Sequence, residues 1–360
     1  MSHVDCFSVT ESEIVNAIRT MDPNSSPGPD SIHPRFIKEV SCYLIRPLKV
    51  LFQACINNCS IPDDWKMGEI IPDQKPKNDP SKPSSYRPIC LTSVISKLFE
   101  KIIHQVISHV SANNIMSKNQ HGFLKKKSTT TNLLECWNDW TAMKDNKEAF
   151  DIIYIDLEKA FDTVVHAKLI YKLHNIGIRN NALKLLENYL SNRIQYVKVN
   201  KSYSDPSPVL SGIPQGTLLG PLFFIIYIND INDIVSEQTK IKLYADDSKL
   251  YRRCVSLQDC LNLCDDIANV EQWFESWQLR VNVAKTEILH VGHNNRNFNY
   301  FLNHQPIRQL DDCRDLGDSI ANAIESTIDS EGFKGGTRGA PIMPRDAVSR
   351  TAHVTNLSIG

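Results

Sequence analysis

The chain has no excess of either charge. Its 40 Lys and Arg stand against 41 Asp and Glu, a net charge of −1 over 360 residues. No overall field draws it to a polyanion, so a basic groove would have to come from local clusters such as Lys125, Lys126 and Lys127. Long apolar runs are also missing. The longest, Pro221–Ile228, is too short to cross a bilayer, and neither a membrane anchor nor a signal peptide is expected. The ten cysteines form no C-x-x-C pair. Cys55/Cys59 and Cys260/Cys264 are four apart, an interval that suits apolar helix faces better than zinc, and His290 and His293 have no cysteines near them in sequence. Reduced thiols and an intracellular protein are therefore expected. Internal repeats are absent. The length allows one large domain or two ordinary ones.

What the chain does have is Tyr244-Ala245-Asp246-Asp247. Apolar and polar residues alternate through Ile241–Tyr244 and again through Ser248–Tyr251, which predicts a tight hairpin with both aspartates at its tip. Aspartate is disfavoured in strands, and adjacent like charges repel, so a divalent cation is one way to offset the cost. Three other Asp-Asp pairs, at 63–64, 265–266 and 311–312, lie in polar surroundings and read as solvated surface.

A second carboxylate, Asp156, ends the run Phe150–Ile155, which reads as a buried strand. Leu157–Asp162 then shifts towards helical spacing. Taken alone, Asp156 reads as a cap for that helix. Taken with the hairpin pair, it completes an oxygen-donor set of the kind that suits Mg²⁺. Two such ions about 4 Å apart can clamp the attacking and leaving oxygens of an in-line phosphoryl displacement.

Ordered blocks extend these signals over most of the chain: SSPGPDSIHP from Ser25, YRPICLTSVISKLFEKII from Tyr86, QHGFLKKKSTTTNLLE from Gln120, YIDLEKAFDTVVH from Tyr154, SGIPQGTLLGPLFFIIYIND from Ser211, KLYADDSKLY from Lys242 and WQLRVNVAKTEILHVG from Trp277. In this order they resemble the reverse transcriptase domain of non-LTR (LINE-type) retrotransposons, nearest the jockey and chicken-repeat elements. The likeness runs from about Phe7 to Gly317.

The resemblance implies an α+β right-hand polymerase fold, with mixed fingers and an antiparallel palm sheet backed by helices. It implies RNA-directed DNA synthesis from a DNA primer on an RNA template, using deoxynucleoside triphosphates and two Mg²⁺ ions, with Mn²⁺ as a substitute. Nuclear action is expected on the same ground. Asp156, Asp246 and Asp247 would be the catalytic carboxylates, and the carbonyl of Leu157 would add a metal ligand. Arg87 would reach the incoming triphosphate, with Lys75 as a second cation. Ala160 and Phe161 would line the nucleotide site, with Phe161 blocking a ribose 2′-hydroxyl; a core phenylalanine is the alternative. Gln215 and Gly216 would contact the nascent base pair. Lys285 would stand near the leaving pyrophosphate or be a plain surface lysine.

The resemblance also implies an organisation: an N-terminal extension over residues 1–61 beside the fingers, fingers and palm over 62–317, and a divergent tail over 318–360 where the thumb is truncated or missing. Ile288–Ile307 would be the primer-gripping hairpin. Helices are predicted over Ser93–Val110, Asn180–Leu190 and Leu257–Trp277, the last with Leu261, Cys264, Ile267, Ala268, Phe274 and Trp277 inward. The chain departs from the family at Leu124 and Lys126, where an arginine and a turn glycine are usual. A relic that binds nucleic acid without turnover is the competing function. A group II intron maturase is a third reading, but it should carry a basic RNA-binding domain, and none is visible.

Overall fold

The apolar run Phe150–Ile155 forms the central strand of a five-stranded sheet in the computed structural model, which describes residues 3–319 apart from 77, 104, 313 and 317. Two compact units share the chain. Among the described residues, one holds 3–117 together with Lys159–Asn229; the other holds Lys118–Glu158 and 230–319.

In the second unit the strand order is Arg308–Leu310, Glu287–Val291, Phe150–Ile155, Asp247–Arg253, Thr239–Tyr244. All neighbours are antiparallel except the first two. Helix Thr129–Asp145 covers one face: Leu133, Cys136 and Trp140 pack on Phe150, Ile152, Tyr251 and Leu289. Trp140 meets Tyr251 edge-on at 5.7 Å, and a side chain this deeply buried contributes about 1.5–3 kcal/mol. Helix Leu257–Ser276 begins with a capping box, in which Ser256 and Asp259 satisfy each other's backbone N–H groups.

In the first unit the sheet runs Tyr86–Leu91, Met67–Gln74, Arg193–Val199, Ser202–Tyr203, and Ser207–Val209 also pairs with Arg193–Val199. Phe52, Trp65 and Phe99 form an aromatic cluster with ring centroids 5.2–5.9 Å apart. Helix Leu219–Tyr227 is apolar all round and buried at every residue but Pro221, so side chains from elsewhere must satisfy its N-terminus. Glu100 does so: its carboxylate accepts from the backbone N–H groups of Leu218 at 2.7 Å and Leu219 at 3.4 Å, and from Tyr189 Oη at 2.9 Å.

Several local expectations need correction. Leu157–Glu158 continue as a short strand paired with Arg280–Val281, and Lys159 takes a positive φ, so no helix starts after Asp156 for it to cap. The next helix begins at His166. The helix over Ser93–Val110 is two helices, Val94–Ile102 and Gln105–Ala112. On Leu257–Ser276 the inward face is Cys260, Leu263, Ile267, Val270, Trp273 and Phe274, while Leu261 is 41% exposed. Asp266 is not surface: Ser236, Thr239 and the buried Arg252 surround its carboxylate. Ile288–Ile307 is not one hairpin. Glu287–Val291 pairs with the central strand, and only Phe301–Leu302 and Gln305–Pro306 pair locally. The expectation about a thumb falls almost wholly outside the described residues.

Candidate functional site

The hairpin Thr239–Tyr244/Asp247–Arg253 closes with Tyr244 opposite Asp247, leaving Ala245 and Asp246 as its two turn residues. Ala245 has φ +56°, a left-handed value that two-residue hairpin turns usually assign to glycine. On the other side of Asp247–Arg253, Ile155 pairs with Ser248, so the next step along each strand sets Asp156 beside Asp247. All three candidate carboxylates therefore stand at one end of one sheet. Their electrostatics reflect it. Burial, then Asp246, Asp315 and Asp156, push Asp247 up to about 6 against the pull of Lys249. Burial and Asp156 also raise Asp246. Asp247 is exposed to solvent and Asp246 is half-buried.

Asp156 is held separately. Asn282 Nδ2 donates to its Oδ2 at 2.9 Å, Asn282 N donates to its carbonyl at 2.8 Å, and Lys285 Nζ lies 3.8 Å from Oδ2. Asn282 was not singled out from sequence, although it sits inside the Trp277 block. Lys285 is 69% exposed and stays free to turn towards another anion. Leu157 is buried in the short strand pair that follows. The carboxylates are hard oxygen donors with unfavourable mutual repulsion, a set that fits Mg²⁺ or Mn²⁺.

At the other end of Phe150–Ile155 a different cluster forms. Asp151, Cys254 and Cys260, all buried, bring one oxygen and two sulfurs within 4.8 Å of one another. Asp151 accepts from His290 Nδ1 and Tyr300 Oη, each at 2.6 Å, and from Asn295 Nδ2 at 2.8 Å. Burial works against its ionisation, but these hydrogen bonds bring its pKa below the usual carboxylate value. A hydrogen-bonded structural carboxylate accounts for this cluster, and His290 belongs to it.

The other unit gathers most of the nucleotide-site candidates. The loop 211–216 lies along the segment 161–164. Ile213 N donates to Phe161 O at 2.9 Å, Gly212 N to Val164 O at 2.8 Å, and Ser211 Oγ to Asp162 O at 3.0 Å. Gln215 Nε2 donates to Asp162 Oδ1 at 3.1 Å. The Gln215 carbonyl accepts from Cys90 N at 2.9 Å, which fastens the loop to the strand that bears Arg87. Gly216 has φ +101°, and a Cβ there would lie 2.8 Å from Cys90 O, so the close approach requires glycine. Arg87 is exposed, opposite Asp73 in the strand register. Lys75 donates to Ser84 O at 3.0 Å at the far end of the same strand pair. Ala160 is buried, and the half-buried Phe161 ring stacks on Phe224 at 4.7 Å and 15°. Asp162, the acceptor that fixes Gln215, went unnoticed in sequence.

The family pattern of reverse transcriptase (RNA-dependent DNA polymerase) matches residues 75–317. Among curated proteins, the probable RNA-directed DNA polymerase from transposon BS of Drosophila melanogaster is 30% identical over 282 residues, which cover 76% of this chain and 31% of that protein. The RNA-directed DNA polymerase from mobile element jockey of the same organism is 27% identical over 285 residues, 77% of this chain and 31% of its own length. The probable RNA-directed DNA polymerase from transposon X-element, also of that organism, is 29% identical over 279 residues, 76% of this chain and 31% of its own. The chain thus spans about a third of the length of these relatives.

Proposed function

The chain belongs to the reverse transcriptase (RNA-dependent DNA polymerase) family, and on that premise we propose that it carries the RNA-directed DNA polymerase activity of a LINE-type element, extending a DNA primer on an RNA template. The observation that carries this reading is the placement of Asp156, Asp246 and Asp247 at one end of one sheet, two of them with raised pKa.

Asp156 and Asp246 would be the principal holders of two Mg²⁺ ions, with Asp247 beside them and the Leu157 carbonyl as a further oxygen. Ions held there would supply Lewis-acid activation of the primer hydroxyl and offset charge on the reacting phosphate. The protein's own contribution is preorganisation. Asn282 orients the Asp156 carboxylate, and the hairpin register fixes the spacing of the other two. Arg87 supplies a guanidinium fork for the triphosphate, Lys75 a second cation, and Lys285 a mobile ammonium for the departing pyrophosphate. Ala160 and Phe161 line the sugar pocket, where the Phe161 ring, braced by Phe224, excludes a 2′-hydroxyl. Gln215 and Gly216 meet the nascent pair. Nuclear action follows from the likeness to LINE-type elements.

The test is primer extension on poly(rA)/oligo(dT) with Mg²⁺ and dTTP. Wild-type chain should extend the primer, and Asp246→Asn or Asp156→Asn should lower the rate by at least about 100-fold. A wild-type chain that binds the duplex without extending it, like its Asp246→Asn variant, would leave the relic as the correct description.

A further inference from the structure

The two-residue turn that presents Asp246 and Asp247 has a weak point at Ala245. A left-handed φ brings an alanine Cβ too close to the neighbouring carbonyl, so nothing local to the turn favours this geometry. Something outside the hairpin must hold it.

Residues 119–122 do so. This segment runs along the open edge of Thr239–Tyr244. Leu243 N donates to Asn119 O at 3.0 Å, and His121 N donates to Leu243 O at 2.9 Å. Asn132 Nδ2, from the covering helix, adds a donor to the same Leu243 carbonyl at 3.1 Å. Between these anchors lies Gln120, fully buried, whose Oε1 accepts from Ala245 N at 3.1 Å and from Gly122 N at 2.7 Å. One side-chain oxygen thus satisfies the turn's first amide and the segment's own bend. The fit leaves no slack, because a Cβ on Gly122 would lie 2.4 Å from Ala245 N. The orientation of the Gln120 amide is fixed as well: both neighbours are donors, so oxygen must face them. Its Nε2 has no hydrogen-bond partner among the described residues.

We propose that Gln120 is a positioning residue for the Asp246–Asp247 turn, its side-chain oxygen holding Ala245 in the left-handed conformation from which the two carboxylates are presented. The assignment of a catalytic consequence rests on the polymerase reading above; the hold on the turn does not.

The substitutions that separate these are Gln120→Met, which keeps the length but removes the acceptor, and Gln120→Glu, which keeps an acceptor oxygen towards the Ala245 amide while placing a carboxyl group in the buried site. In metal-free protein, amide exchange of Ala245 read by NMR should quicken roughly 10-fold or more in Gln120→Met, while Ile241 and Leu250 keep their protection. Gln120→Glu should restore the protection. Mn²⁺ binding, followed by electron paramagnetic resonance, should weaken several-fold in Gln120→Met, and kcat for primer extension should fall without a matching rise in KM for primer-template. Ala245→Gly, added to Gln120→Met, should recover part of the loss, because glycine takes a positive φ without strain. Unchanged Ala245 exchange in Gln120→Met would overturn the proposal. So would a Gln120→Glu variant whose Ala245 amide exchanges as fast as in Gln120→Met. If Gln120→Met does not fold, the Gln120→Glu protein decides by its Ala245 exchange. Equal activity in wild type and Asp246→Asn would instead refute the polymerase reading and leave the exchange result standing.

Discussion

Gln215 Nε2 donates to Asp162 Oδ1, and this 3.1 Å bond joins the residue after the candidate sugar gate to the loop 211–216. Burial raises the Asp162 pKa even though Gln215 and Lys159 oppose it. The Ser211 hydroxyl and the Gly212 N–H donate to the main-chain carbonyls of Asp162 and Val164, so removing the Asp162 carboxylate leaves the loop fastened. Asp162→Ala should therefore raise KM for deoxynucleotides roughly 3–10-fold, the worth of one hydrogen bond of about 1 kcal/mol, with little change in Tm. Steady-state kinetics beside a melting curve would check it, and a Tm collapse would mark Asp162 as structural.

Phe161 is both packed and available. Its ring stacks on Phe224, yet the residue is only half-buried. Phe161→Val should forfeit about 1 kcal/mol of stacking and increase ribonucleotide incorporation, leaving deoxynucleotide use comparatively intact. Competition between rNTP and dNTP in primer extension measures the ratio. An unmoved ratio in a folded variant would assign the ring to the core alone.

His121 should make the fold sensitive to acid. Its side chain is wholly buried; burial, Lys127 and Lys242 push it down to about 4, with Glu135 opposing. The unfolded chain binds the proton near the ordinary value of 6.5, so stability is full above that value and is lost as pH falls towards 4. The loss amounts to at most on the order of 3 kcal/mol. Denaturant midpoints across this range should fall for wild type and flatten for His121→Gln.

Glu100 satisfies the N-terminus of the buried helix that follows Gln215. Glu100→Ala leaves those amides and Tyr189 without it and should cost about 2–4 kcal/mol. Glu100→Gln retains an acceptor for Leu218 and should cost appreciably less. Thermal melts of the two variants distinguish a specific acceptor from mere volume.

Sequence by itself determined what is local and periodic. The run Phe150–Ile155, the alternation around Asp246 and the amphipathic stretch Asn180–Leu190 each carry their own signal, because hydrophobic spacing writes the exposed and buried faces directly into the chain. The ordered motif blocks added the family and the three aspartates. Tertiary structure alone decided which distant residues hold those features in place. Nothing near Asp156 in sequence names Asn282 as its partner, and nothing near Ala245 names Gln120. Asp266 looked solvated on its own helix and is buried because Arg252 and Thr239 arrive from the sheet. Asp156 lost its expected helix because Arg280–Val281 supplied a strand to pair with Leu157–Glu158. In each case a polar group's place was set by the partner that satisfies it. The cost of burying such a group unpaired exceeds local propensity, and that partner comes from elsewhere in the chain.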